Sequence, residues 1–332
     1  MHRTKLLFIS LTLSLFLAGL NGTSLAQTVP AEQSVKVRTE VVNVNVMARQ
    51  KTTGRIISNL AKDDFSIFED GVQQMISYFS QDPLPLSIVL LVDRAGCINA
   101  FNEQIRAATI QTLGNLKAED EVAIMTFSSK VALAQPFTRD RQLVSDQIIA
   151  VETQHSSEQH YFNAGIHEAA TYMSKAANPA GRRVILVLTS LEASVDFSRI
   201  SQKEALQALL ESGAIVSGVL VKTLGGRIEQ GIRGKPTSVL RHIGLPSGSL
   251  KLFVAETGGE LTSAAPEKIE EALTQVLSHV ATNYTLAYLP TNSTRDGKRR
   301  RIGVQLSPAV EQREGKTVLV ARRSYVMPKD GN

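Results

Sequence analysis

The sequence predicts an α/β protein built on an open, doubly wound, mainly parallel sheet, with a small β module formed by segments from both ends of the chain. Three observations carry this expectation. Leu86 to Val92, Val184 to Thr189 and Ala214 to Val221 are continuous apolar runs, as expected of parallel strands covered on both faces. Segments with helical spacing separate them, and the alternation of buried strand with amphipathic helix points to a doubly wound sheet. At the two ends the period falls to two, the signature of half-buried strands.

The chain has 332 residues, enough for two modest domains, and 43% of them are apolar, enough for a sizeable core. Aromatic residues make up 5% and Trp is absent, which argues against base or sugar stacking. The formal charge is +5, far short of a nucleic-acid footprint.

His2, Arg3 and Lys5 precede an apolar run from Leu6 to Leu17, too short to span a bilayer. Ser24-Leu25-Ala26 ends it with small residues at the two positions that matter, so residues 1–26 read as a secretory signal cleaved before Gln27. The alternative is a retained anchor. The protein is expected to be exported, periplasmic or extracellular. Cys97 is the single cysteine, so no internal disulfide is available and the fold rests on its core.

Residues 27–34 form a polar lead-in. In Val35 to Val41 and Val42 to Val46 apolar and polar residues alternate, with a change of face between Val41 and Val42 that predicts a bulge or strand break. Thr53-Gly54-Arg55 is a turn, and Asp63-Asp64-Phe65 begins a short helical turn. Ser66 to Glu69 and Met75 to Phe79 flank Asp70-Gly71, a hairpin signal. Residues 27–82 are thus a β module, bounded by Pro83 and Pro85.

Within residues 83–282, helices are expected over Ile105 to Leu116, Leu143 to Val151, Ala164 to Ala176, Gln202 to Leu210, Phe253 to Thr257 and Pro266 to His279. Further strands are Val122 to Phe127, an edge strand from Lys130 to Phe137, and Glu260 to Ser263. Period two returns in Tyr284 to Leu289, Ile302 to Leu306 and Val318 to Ala321, so residues 283–332 are expected to pack with the N-terminal module around an inserted α/β domain. Residues 223–250, rich in Gly and Pro, read as a long irregular loop suited to interaction. Doubly wound sheets bind ligands at the carboxyl ends of their strands, where Asp93, Ser190 and the loop after Val221 lie.

Leu86 to Asp93, Glu121 to Ser128 and Arg182 to Thr189 together resemble a von Willebrand factor A domain, a Rossmann-like α/β fold. Leu60 to Gly71, Ile76 to Phe79, Tyr284 to Pro290 and Arg322-Arg323-Ser324-Tyr325 resemble the flanks of the A-domain-related secreted proteins abundant in acidobacteria. The resemblance implies a metal-ion-dependent adhesion site: Asp-x-Ser-x-Ser after the first strand, a Thr from a middle loop, and an Asp after the fourth strand, all hard oxygen ligands for Mg²⁺.

Here the first motif reads Asp93-Arg94-Ala95-Gly96-Cys97. Ala95 offers no ligand and Cys97 a sulfur that Mg²⁺ disfavours. The Thr position falls near Gln159, with Ser156 or Ser157 as alternatives if the loop is shifted, and Ser190 stands where the last Asp belongs. One carboxylate with no firm partner is too little to hold Mg²⁺, so the site is expected to be degenerate, with no cofactor. Asp93 reads as pairing with a nearby Arg or capping a helix, and Cys97 as a packed Ser substitute. His155, His160 and His167 include no i,i+4 pair and read as a solvated face. Lys298 to Arg301 read as a solubilising strand edge, or as a contact for anionic lipid or polyanions. Asn283-Tyr284-Thr285 and Asn292-Ser293-Thr294 fit the glycosylation pattern, which has no meaning in a bacterial chain.

No nucleophile–base motif or phosphate loop occurs. The expected function is therefore a non-enzymatic, metal-independent protein-binding module, its partner a protein, with no nucleic acid and with membrane contact only through the signal peptide or weakly at the surface. The alternatives are Mg²⁺-dependent adhesion with substituted ligands such as Ser190 or Glu192, a structural envelope component, and an enzyme using Cys97.

Overall fold

The computed structural model of the protein describes residues 41–95, 102–152, 159–222 and 246–329. The signal segment, the lead-in, the strand run before Val41, Cys97, His155, Ser156, Ser157 and most of the 223–250 loop lie outside them.

The chain begins with β1 (Val42–Gln50), a one-turn 3₁₀ segment at Lys62–Asp64, and the short strands β2 (Phe65–Glu69), β3 (Val72–Gln74) and β4 (Ile76–Ser80). The α/β block follows as β5 (Leu86–Asp93), α1 (Asn102–Gly114), β6 (Glu121–Phe127), β7 (Val131–Thr138), α2 (Arg141–Glu152), α3 (Phe162–Tyr172), β8 (Arg182–Thr189), β9 (Ala193–Val195), α4 (Gln202–Ser212), β10 (Ile215–Val221), β11 (Ser247–Ser249), α5 (Leu250–Thr257), β12 (Leu261–Ala264) and α6 (Ile269–Ala281). The chain returns to strands with β13 (Tyr284–Tyr288), β14 (Arg299–Leu306), a short helix α7 (Pro308–Glu314), β15 (Thr317–Ala321) and β16 (Ser324–Val326).

The central sheet has the order β12-β10-β8-β5-β6-β7, parallel except for β7, which runs antiparallel at the edge. Alternation inside each apolar run sends its residues to two separate cores. Ile88 and Leu90 pack with Val122, Ile124, Leu186 and the helices α1, α2 and α6. Val89 and Leu91 pack with Met125, Phe127, Ile185 and the helices α3, α4 and α5. Each such side chain contributes about 1.5–3 kcal/mol of burial, which is why these runs carry no polar face. Ser201 starts α4 with a capping box: its Oγ accepts from the Glu204 N–H at 3.2 Å, and Glu204 Oε2 accepts from the Ser201 N–H at 2.8 Å.

Strands from the two ends of the chain form two further sheets. One has the order β15-β1-β13-β4 and the other β16-β14-β2-β3. β1 pairs antiparallel with β13 from Val42↔Tyr288 to Val46↔Tyr284, and with β15 from Val46↔Ala321 to Gln50↔Thr317. Both sheets share a core of Val44, Val46, Ile67, Tyr284, Leu286 and Tyr288. A buried polar network crosses it. Glu69 Oε2 accepts from the Tyr288 and Tyr325 hydroxyls, each at 2.8 Å, while Arg300 Nη1 lies 3.3 Å from Glu69 Oε1.

Two expectations need correction. The run after Asp70-Gly71 does not continue as the second arm of one hairpin: Val72–Gln74 pairs with β2, and Ile76–Ser80 crosses to pair with β13. The arginine run at 298–301 is no free basic edge. Arg300 is 2% exposed and bound to Glu69, Arg299 is bound to Glu256, and β14 lies between β16 and β2. Asn283, in one of the two glycosylation patterns, is 4% exposed.

The join between end strands and α/β block is close at Gly258, the αL residue after α5. Its φ is +74°, and a Cβ there would lie 2.4 Å from the Ala321 carbonyl carbon and the Arg322 nitrogen.

Candidate functional site

Asp93 is the last residue of β5, and the strand delivers its carboxylate to the carboxyl end of the sheet, where it is fully buried. Oδ1 accepts from the Ala95 N–H at 3.0 Å. Oδ2 accepts from Thr189 Oγ1 at 2.6 Å, at the end of the neighbouring β8. Oδ2 also lies 2.6 Å from His160 Nδ1. An ionised carboxylate only accepts, so with Asp93 charged the Nδ1 of His160 carries the hydrogen.

This arrangement corrects two expectations. Asp93 is held by a histidine, a hydroxyl and a backbone amide, not by an arginine. His160 is no part of a solvated face, being 2% exposed. It sits just before α3, where Ser194 Oγ donates to its carbonyl oxygen at 2.9 Å, and its ring lies 6.3 Å from that of Phe162, tilted by 17°. His167 is half-buried on α3 beside Glu168 and does not join it.

The remaining candidate positions fall as follows. Ala95 is fully buried and supplies only its N–H. Gln159 is exposed, and its Oε1 accepts from the Tyr161 hydroxyl at 2.5 Å. The residue that reaches Asp93 is thus the neighbour of the position expected from the motif. Ser190 is 6% exposed, and its Oγ has no hydrogen-bond partner among the described residues. Glu192 Oε1 lies 3.2 Å from Lys251 Nζ on α5. Cys97 lies outside the described residues.

A second carboxylate, missed in the sequence, lies on the same end of the sheet. Asp196 is 1% exposed, accepting from the Asn163 N–H at 2.7 Å and the Ser198 N–H at 3.0 Å. Burial raises its pKa, against the opposing effect of those hydrogen bonds. Asn163 Nδ2 donates to the Ser247 carbonyl at 3.2 Å, and its Oδ1 is left without a partner among the described residues. Gly248 allows this packing, since a Cβ there would stand 2.7 Å from Asp196 Oδ2.

Chemically, an aspartate holding a histidine at Nδ1 is the orienting half of an acid–base device. Both members here are sealed from solvent. Among the described residues no group of three or more His, Cys, Asp or Glu side chains is placed to hold a metal ion. No helix among them is long and apolar enough to cross a membrane.

Residues 88–192 match the family model described as the von Willebrand factor type A domain, from β5 to the loop after β8. The α/β block is therefore von Willebrand factor A-like. No curated protein matches the chain in sequence. Among solved structures, the conserved hypothetical protein BatB from Bacteroides thetaiotaomicron is similar at 15% identity, over 59% of this chain and 98% of that one, with a TM-score of 0.42. The PilB minor pilin from Streptococcus sanguinis is similar at 11% identity, over 61% of this chain and 63% of the other, with a TM-score of 0.44. Proximal thread matrix protein 1 from the mussel byssus, with a zinc-occupied MIDAS motif, is similar at 14% identity and a TM-score of 0.44; 64% of this chain is matched and covers 49% of that protein.

Proposed function

We propose that the protein is an exported, non-enzymatic interaction module that binds a protein partner without a metal ion. The observation that carries this reading is the engagement of both Asp93 oxygens by protein groups. A Mg²⁺ ion needs hard oxygen ligands with free lone pairs. The carboxylate that would anchor it is already engaged by the Ala95 N–H, the Thr189 hydroxyl and His160 Nδ1, the last two on the same oxygen. Ala95 adds no oxygen ligand. The residues do not fit the ion that the type A domain implies, and no step of the function is routed through one.

Support for a protein partner is the type A domain match, since such domains generally mediate protein–protein contacts. The carboxyl end of the sheet offers an exposed anchor in Phe197, 59% accessible on the loop after β9. Support for export is the leader-like segment 1–26. We take 27–82 and 283–332 as one flanking β unit around the domain at 83–282, as in the secreted acidobacterial proteins that the flanks resemble.

The test compares thermal unfolding of the protein in EDTA with unfolding in millimolar Mg²⁺, Mn²⁺ or Ca²⁺. Superimposed curves are expected, because a ligand that binds only the native state must stabilise it. A shift of several degrees that disappears in Asp93→Ala would overturn the reading. A second reading, metal-dependent adhesion with substituted ligands, has one observation in its favour: the buried, unpartnered Ser190 Oγ at the last ligand position. Loss of a metal-induced shift in Ser190→Ala would support it.

A further inference from the structure

A cleft of about 910 Å³ lies at the opposite end of the sheet from Asp93. It is bounded by the start of β8, the end of α4, the first residues of β1 and the segment after β15. Four cationic side chains line it, Arg182, Arg183, Arg322 and Lys329, against a single lining acid, Glu211. The volume is in the range of small-molecule sites, and a seam between structural units is where such sites concentrate.

The three guanidinium groups are held by neutral oxygens. Arg322 donates to the carbonyls of Ser324, Asn43 and Leu210 at 3.2, 3.4 and 3.3 Å. Arg183 donates to the Ser212 carbonyl at 2.8 Å. Arg182 donates to the carbonyls of Val280 and Asn283 and to Thr285 Oγ1, while its buried Nε has no partner among the described residues. Leu210 and Ser212 are in the last turn of α4, so Arg183 and Arg322 meet the negative end of that helix, and Arg182 does the same for α6. A helix end carries about half a charge. That leaves most of three unit charges uncompensated, and no carboxylate among the described residues is at ion-pair distance from any of the three. Glu211, whose Oε1 accepts from Gln207 at 2.6 Å, is at ion-pair distance from none of them. Burial accordingly lowers the basicity of Arg322, and that of Arg182 to about 10.

A guanidinium has five N–H donors in a planar fork suited to oxyanions. Arg183 uses one of them on Ser212. We propose that this cleft is a binding site for a small organic oxyanion, a carboxylate or a phosphate ester, held by Arg183, Arg322 and the exposed Lys329. Its hydrocarbon part would lie against Val41 and Tyr78, both half exposed in the lining. The buried Arg182 behind them adds positive potential without contact. This site is independent of the carboxyl-end face and of the partner that face would bind.

Isothermal titration of the full chain at low ionic strength, with citrate and separately with inorganic pyrophosphate, tests the proposal. Saturable one-to-one binding of at least one probe is expected, weakening as salt rises. Tighter binding of citrate identifies a carboxylate ligand, and tighter binding of pyrophosphate a phosphate. Lys329→Glu and Arg183→Gln are each expected to weaken binding at least tenfold. Lys51→Glu, the same charge change at an exposed position outside the cleft, should leave it within about twofold. Melting curves without probe show which variants are folded. Lys329 is exposed, so its variant carries the test even if Arg183→Gln unfolds. No saturable binding of either probe, or equal losses in Lys329→Glu and Lys51→Glu, would overturn the assignment.

Discussion

His160 Nδ1 and Asp93 Oδ2 stand 2.6 Å apart across 67 residues of sequence, the histidine 2% exposed and the aspartate fully buried. Such a pair is weak support for stability by itself, but removing one member leaves a buried charge unpaired. His160→Ala is expected to destabilise the fold by about 3–5 kcal/mol. The double variant Asp93→Ala, His160→Ala should lose less than the sum of the two single changes. Urea unfolding of the four proteins closes the cycle, and simple additivity would show that the two side chains are not coupled.

Arg300 and Arg301 are neighbours in β14 with opposite fates. Arg300→Gln breaks the contact with buried Glu69 and should cost about 3–5 kcal/mol. Arg301, whose side chain is 85% exposed, should tolerate the same change within about 0.5 kcal/mol. Equal melting temperatures for both variants would restore the reading of a uniform basic edge.

Gly213 and Gly258 have nearly the same φ, +70° and +74°, and different surroundings. A Cβ at Gly213 meets nothing within 4 Å, so Gly213→Ala should cost only the left-handed backbone penalty, about 1–2 kcal/mol. Gly258→Ala adds a collision with the Ala321–Arg322 backbone and should cost about 2 kcal/mol more. Chemical denaturation of the two variants measures the difference directly, and equal losses would mean the segment after β15 shifts freely.

Tyr284, Tyr288 and Tyr325 all have raised pKa values, first because burial penalises the phenolate, and for Tyr288 and Tyr325 also because each donates to Glu69. The unfolded chain releases these protons near the ordinary value of 10, while the folded chain retains them. Stability is therefore fully present below that pH and falls as pH rises above it. Urea midpoints measured from pH 8 to 11 should be level at first and then drop. A flat profile would mean that these hydroxyls ionise without unfolding.

Much of this architecture can be read from local pattern. Leu86 to Val92 and Val184 to Thr189 are buried on both faces, so they are apolar but for Ser87 and Thr189, and their identity as parallel strands is plain. The three-residue strands β3, β9, β11 and β16 are too short for any period to show. Arg300 was within reach: alternation along β14 puts it in phase with buried Ile302. The role of His160 was not. Nothing between Gln159 and Phe162 marks one polar side chain as inward, and its partner lies on another strand. The only signal was that Asp93, ending an apolar run, had to find a donor somewhere.

The pairing of β1 with β13 and β15 also bears on how the chain reaches its native state. Val42–Gln50 is made before its partners Tyr284–Tyr288 and Thr317–Ala321, which come more than two hundred residues later. Contacts of such separation carry a large loop-closure entropy and form slowly. The sheet that unites them can close only once Thr317–Ala321 has been made, and until then β1 leaves its apolar face and its unpaired edges open to aggregation or to a chaperone.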